Sequence, residues 1–332
     1  MSKLVSAFDR INAWARQSVV LKLFVIGFLV LMLLIPANML DSLIYERQRL
    51  RDSAQTEVAS KWGLAQRIGG PVITVPYSYE VVSVVDGKET VSTRTGYAHF
   101  LPDKLDIDGE LFSQERQRGI FVVVLYNTKL KINGFFDGFD ATELSIPSSA
   151  LRWEEAGLSV GISDMAGVQS DIDVNLGDST VSLGPGTITN QIFNSGASRK
   201  FALTGPKERV PFSFELDLNG SSAIYFAPYG KTTTVQLSSD WASPSFGGNF
   251  LPKERSITDE GFTANWEVLQ LNRNFPQQGI GGFIDKNKMN SSVSYDRFSN
   301  NSYGSSIEGD FGLRLLLPVD EYKKPYRSTD FA

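Results

Sequence analysis

Cysteine is absent from all 332 residues, and histidine occurs once, at position 99. The first absence removes disulfide frameworks and thiol chemistry. The second removes the usual zinc and copper constellations, so neither a metal site nor a cofactor is expected. A basic block is missing too. Of 32 Lys and Arg against 37 Asp and Glu, four and one precede Asp41, which leaves the rest of the chain near a net charge of about −8. That balance lacks the electrostatic footprint of a nucleic-acid binder. It does not suit adsorption to an anionic lipid surface either. No G-x-S-x-G elbow surrounds any serine, and His99 is the sole imidazole available as a base, so a hydrolase triad has no support.

Charge is also missing from Leu23 to Leu40, eighteen consecutive residues with no second run like them. As a helix this stretch spans roughly 27 Å, close to the hydrocarbon thickness of a bilayer. Leu23, Phe24, Phe28, Leu33, Leu34, Pro36 and Leu40 are its expected anchor residues. Val19 to Leu21 extend it, with the Lys22 ammonium reaching toward the headgroups. A cleaved signal peptide fits less well, because Pro36-Ala37-Asn38-Met39-Leu40 is a poor cleavage site and the preceding region is long. A buried core helix would carry a polar face, and Leu23 to Ile35 has none. Lys3, Arg10, Arg16 and Lys22 against Asp9 favour a cytoplasmic N-terminus. Residues 1–22 then read as a cytoplasmic segment, 23–40 as a signal anchor, and everything from 41 onward as lying outside the cytoplasm.

Residues 41–63 continue as an amphipathic juxtamembrane helix, with Leu43, Leu50, Ala54, Val58 and Trp62 on one stripe and Gly63 as the stop. After Gly69-Gly70-Pro71 the period changes to two. Val72 to Val75 and Tyr77 to Val85 read as strand, with Asp86-Gly87 as a hairpin turn before Thr90 to Thr95. Further strands are expected at Tyr97–Leu101, Gly119–Lys131, Leu158–Ser163, Phe212–Leu218, Thr232–Ser238, Phe262–Val268 and Gly312–Leu317. Turn signals such as Asn133-Gly134 and Asn219-Gly220 separate them. The fold class is therefore all-β, a large antiparallel sandwich over 64–325 preceded by one transmembrane helix. Lys286 to Gly309, rich in Ser, Asn and Gly, reads as a loop, and a split near Pro206 to Pro211 is the alternative to one domain.

Motifs that could carry chemistry have bland readings. His99 lies in an apolar strand and reads as structural. Asp171-Ile172-Asp173-Val174-Asn175 opens like a calcium loop but has Leu176 and Ser182 where glycine and glutamate belong; its alternation instead describes the wet face of a strand. Gly184-Pro185-Gly186 and Gly279-Ile280-Gly281-Gly282 read as turns. Glu154 and Glu155, adjacent on a strand, would point to opposite faces and share no proton. The most distinctive segment is Ser239 to Pro252. It reads as too irregular for a strand and too apolar for a free loop. Trp241, Pro244, Phe246, Phe250 and Leu251 are candidate partner contacts, against a rigid corner whose aromatics fill the core.

At this segment the chain resembles the bacterial inner-membrane CreD family. The matching residues are W-x-x-P-S-F-x-G-x-F-L-P at Trp241 to Pro252 and G-F-x-A-x-W at Gly261 to Trp266. Earlier matches are L-L-I-P at Leu33 to Pro36, E-R-x-x-x-R at Glu46 to Arg51, Q-x-x-G-G-P-V at Gln66 to Val72 and R-G-I-F at Arg118 to Phe121; P-V-D-x-Y follows at Pro318 to Tyr322. The resemblance implies a signal anchor, a periplasmic β domain and then a multi-helix membrane region, before which 326–332 form an end. It implies a role in cell-envelope integrity and stress response, with no assigned reaction and no catalytic residues to carry over. The expected function is a non-enzymatic inner-membrane protein whose β domain binds another envelope component, protein or glycan. The alternative is a periplasmic glycan- or lipid-binding accessory domain, or a glycan-active enzyme, which needs a cleft with converging carboxylates and stacking aromatics.

Overall fold

The computed structural model describes residues 19–85, 88–206, 208–284 and 311–315. The chain divides into two compact units, Met1–Ala54 and Gln55–Ala332. Helix α1 (Val19–Trp62) is 44 residues long and passes through Pro36 without a break, a length of about 66 Å. Leu23, Phe24, Phe28, Leu33, Leu34 and Leu40 are 50–72% exposed, and Pro36 is exposed as well. The helix is long and apolar enough to cross a membrane. Leaving that much apolar surface in water would cost far more than a folded chain can offset, so a bilayer is its natural solvent.

The second unit is built from seventeen described strands. In chain order they are β1 (Gln66–Val85), β2 (Lys88–Phe100), β3 (Lys104–Arg118), β4 (Phe121–Asp137), β5 (Gly157–Ile162) and β6 (Asp173–Leu176). Then come β7 (Ser179–Ser182), β8 (Gly184–Pro185), β9 (Gly196–Lys200), β10 (Arg209–Ser221), β11 (Ala223–Phe226) and β12 (Thr232–Ser239). The last are β13 (Pro244–Gly248), β14 (Glu254–Thr258), β15 (Gly261–Leu269), β16 (Gln278–Ile280) and β17 (Phe311–Leu315). One sheet runs β13-β17-β11-β1-β5-β9-β8, with β2 also on β1 and β16 on β2. The other runs β14-β15-β12-β3-β4-β10-β6-β7. Both are mixed rather than purely antiparallel, because β11 lies parallel to β1 and β12 parallel to β3. β10, which begins at Arg209, pairs with both β4 and β6.

Alternation decides which side chains meet. Along β15, Phe262, Ala264, Trp266 and Val268 are buried while Thr263, Asn265 and Glu267 are exposed. Val235 and Leu237 of β12, and Leu105, Ile107 and Leu111 of β3, join the same cluster as Ile73 and Val75 of β1. Side chains from both sheets thus form one shared core, which is the sandwich the alternation predicts. On the opposite side of β1, Val72 enters a second, smaller cluster with Leu101, Ile192, Phe193, Tyr229, Phe275 and Ile284.

The strands read from the sequence coincide with parts of β1, β2, β4, β5, β10, β12, β15 and β17. The Asp86-Gly87 turn lies outside the described residues, yet Val85 opposite Lys88 brackets it as a two-residue connection requires. Lys286 to Gly309 also lies outside them. The juxtamembrane stripe is only half realised. Ala54, Val58 and Trp62 are partly covered, whereas Leu43 and Leu50 are 55% and 51% exposed.

Candidate functional site

The Trp241 to Pro252 segment is not too irregular for a strand. Pro244–Gly248 form β13, whose residues pair with β17 from Pro244 opposite Leu315 to Gly248 opposite Phe311. Prolines and glycines are tolerated because β13 is the sheet's edge strand, where one row of N–H groups has no ladder to satisfy. The aromatics turn inward. Trp241 is 8% exposed. Phe246 is half-buried and packs edge-on to Phe262 at 5.8 Å and to Trp266 at 5.6 Å, with the Arg255 guanidinium 5.8 Å from its centroid. Phe250, also half-buried, packs edge-on to Phe311 at 6.3 Å. The two sequence motifs Trp241–Pro252 and Gly261–Trp266 are therefore one packed corner. Pro244 is half-buried. Leu251 alone among the five candidates projects outward, at 65% exposure, with Ile257 of β14 at 48%.

His99 is 1% exposed. Its Nε2 lies 3.0 Å from Gln191 Oε1 and its Nδ1 2.9 Å from Thr74 Oγ1. With Oε1 as acceptor, Nε2 carries the proton and Nδ1 accepts from the threonine hydroxyl. Burial lowers its pKa, against a weaker opposing pull from the Gln191 bond. The ring stacks on Phe283 at 6.2 Å. It is a neutral structural imidazole with both nitrogens in use.

Among the described residues no group of His, Asp and Glu could hold a metal ion. Asp173 and Asn175 are exposed on β6 while Ile172, Val174 and Leu176 are buried, as alternation requires. Glu154 and Glu155 sit on a single 3-10 turn (Trp153–Glu155) rather than on a strand, and the ring of Trp153 packs on Phe100 and Phe139. Gly184 and Gly279 are strand residues of β8 and β16, not turn residues. A groove of about 380 Å³ beside Asp240 does gather Glu110 and Glu260 with several hydroxyls. Asp240 is spent there, accepting from Ser113 N at 3.1 Å and Ser113 Oγ at 2.6 Å, and the one aromatic in the lining, Phe262, is 3% exposed.

A second groove escaped sequence reasoning. The final turns of α1 lie against β4, where Val123 and Leu125 are buried and Trp62 Nε1 donates to Tyr126 O at 3.1 Å. Between those turns and the end of β3 is a groove of about 310 Å³ lined by Val58, Trp62, Leu125, Lys61, Arg116 and Arg118. Glu57 lies along its wall, receiving Arg118 Nη2 at 2.6 Å and Arg118 Nε at 3.2 Å, with Lys61 Nζ 3.5 Å away. The Arg118 hydrogen bond and charge hold the Glu57 carboxyl below its usual range. The legible signal was the Glu57–Lys61 spacing of four together with Arg-x-Arg at 116–118.

A family model described as "Inner membrane protein CreD" matches residues 18–332. The Escherichia coli K12 inner membrane protein CreD is 27% identical over 307 residues, covering 91% of this chain. The chain spans 63% of that relative's length. Among solved structures, an M1 zinc metallopeptidase from Deinococcus radiodurans aligns over 55% of this chain and 42% of its own at 8% identity, with a TM-score of 0.24. That likeness is too slight to bear on fold or activity.

Proposed function

The chain belongs to the CreD family of inner membrane proteins, and from that premise we propose that it is a membrane-anchored envelope protein whose β unit lies on the periplasmic side and docks another envelope component. The observation that carries the anchoring is α1, apolar and with its described side chains exposed between Leu23 and Leu40. The excess of basic residues before the span supports an N-terminus in the cytoplasm. A role in envelope integrity follows from the family resemblance, and binding rather than catalysis fits a unit whose one imidazole is locked in the interior.

Docking is assigned to the rim of the Trp241–Pro252 corner. Trp241, Phe246 and Phe250 stiffen that corner from within, while Leu251 supplies contact surface beside the open edge of β13. An exposed apolar side chain held on a rigid corner is suited to fill a pocket on a partner. The test is photocrosslinking in intact cells from a probe at Leu251, with a probe at Phe246 as the inward control. Capture of one envelope protein or glycan from position 251 and not from 246 is the expected result. No product from 251 at native expression removes the docking role and leaves a structural corner.

A further inference from the structure

The unit from residue 55 onward is acidic overall, yet the groove between α1 and β3 reverses that sign. Lys61, Arg116 and Arg118 face it with Glu57 as the one carboxylate in its lining. Arg118 and Lys61 both share Glu57. Arg116 is exposed and, among the described residues, has no acceptor or ion pair. The floor is apolar and fixed: Leu125 is 1% exposed, and Trp62 is pinned through its indole N–H. Arg116 and Arg118 are two residues apart on β3 and so share one face of that strand, about 6.8 Å apart along it. That is also the repeat of same-side residues in any extended peptide. Phe112, on the same face four residues earlier, is 45% exposed.

We infer that this groove binds an extended acidic polypeptide segment of a partner protein, two carboxylates at alternate positions meeting Arg116 and Arg118 and an apolar side chain resting on Trp62 and Val58. Charge complementarity carries the choice. A paired guanidinium spacing matched to a strand repeat suits two carboxylates better than one compact oxyanion. The acidic remainder of the unit repels the same partner elsewhere, which confines it to this groove. Glu57 occupies Arg118 and Lys61 in the free state and is displaced on binding. This surface is independent of the Leu251 rim.

The test uses the full chain in a neutral detergent and a fluorescein-labelled peptide of alternating glutamate and serine ending in leucine, read by anisotropy. Its lysine-for-glutamate counterpart and inorganic phosphate serve as the other arms. Binding should weaken at least tenfold in Arg116→Gln, whose native side chain makes no hydrogen bond or ion pair among the described residues, and several-fold as salt rises from about 50 to 200 mM. Glu57→Gln should bind several-fold tighter, because the competing carboxylate is gone. Leu251→Ser should bind as the parent does. Unchanged affinity in Arg116→Gln, weaker binding in Glu57→Gln, or competition by phosphate at equal concentration would each overturn the proposal.

Discussion

At the residue scale, His99 shows how a polar side chain can be central to a fold without being reactive. Its ring is held between Thr74 and Gln191 and against Phe283, and burial depresses its pKa. The unfolded chain takes up a proton near pH 6.5 that the folded chain does not, so folding is favoured less as pH falls below that value. Between pH 7 and 5.5, chemical denaturation should report a stability loss of up to about 1.4 kcal/mol per pH unit, and His99→Gln should flatten it. An unchanged slope would mean that carboxylates account for the acid sensitivity. The structural reading of His99 was legible from Ala98 and Phe100 beside it. What was not legible was its pairing with Gln191, which approaches from 92 residues away. Arg273 is a harder case: it is 8% exposed, bonded to Gln277 and stacked 4.5 Å over Phe275. Burial brings its pKa down to about 10, which still leaves it charged.

At the scale of elements, β13 and β15 explain why the Trp241–Pro252 segment resisted reading. Its prolines and glycines argue locally against a strand, and only the pairing with β17, more than sixty residues later in the sequence, makes it one. β3 was missed for the reverse reason. Its alternation is clear at Leu105, Ile107 and Leu111, but the charged end Glu115 to Arg118 obscures it. The parallel pairs of β1 with β11 and β3 with β12 leave no local trace at all, since strand direction is set by the path of the intervening chain. The corner's packing gives a direct prediction. Phe246→Ala should cost roughly 2 kcal/mol, below the 3–5 kcal/mol of a fully buried ring because Phe246 is half-exposed. Leu251→Ser should change stability by less than about 0.5 kcal/mol. Thermal melts of the two variants side by side check both; equal losses would mean that Leu251 packs as Phe246 does.

At the scale of the whole molecule, the absence of cysteine becomes useful. Thr93 on β2 is exposed, and a Thr93→Cys substitution introduces the one thiol in the chain. A membrane-impermeant maleimide should label it in intact spheroplasts as fully as in lysed ones, if the β unit is periplasmic; labelling only after lysis would invert the orientation. The apolar run of α1 made the membrane legible from sequence alone, and its length, about 66 Å, means that its polar half lies outside the hydrocarbon. The sandwich itself was legible from alternation, whereas the division of strands between two sheets was not, because alternation tells a strand's inner face from its outer face without naming its neighbours.

Only Gly63, Leu64 and Ala65 separate α1 from β1. β1 is the hub of its sheet, pairing with β11 at Gln66–Ile68, with β5 at Ile68–Thr74 and with β2 from Ile73 to Val85. Gln66, its first residue, is fully buried and donates to Asp164 O and Asn219 O, each at 3.0 Å. Tension along the chain must therefore break the Trp62–Tyr126 hydrogen bond and then the two bonds of Gln66 before it reaches the ladders of β1. The join between helix and sheet is built as a mechanical clamp.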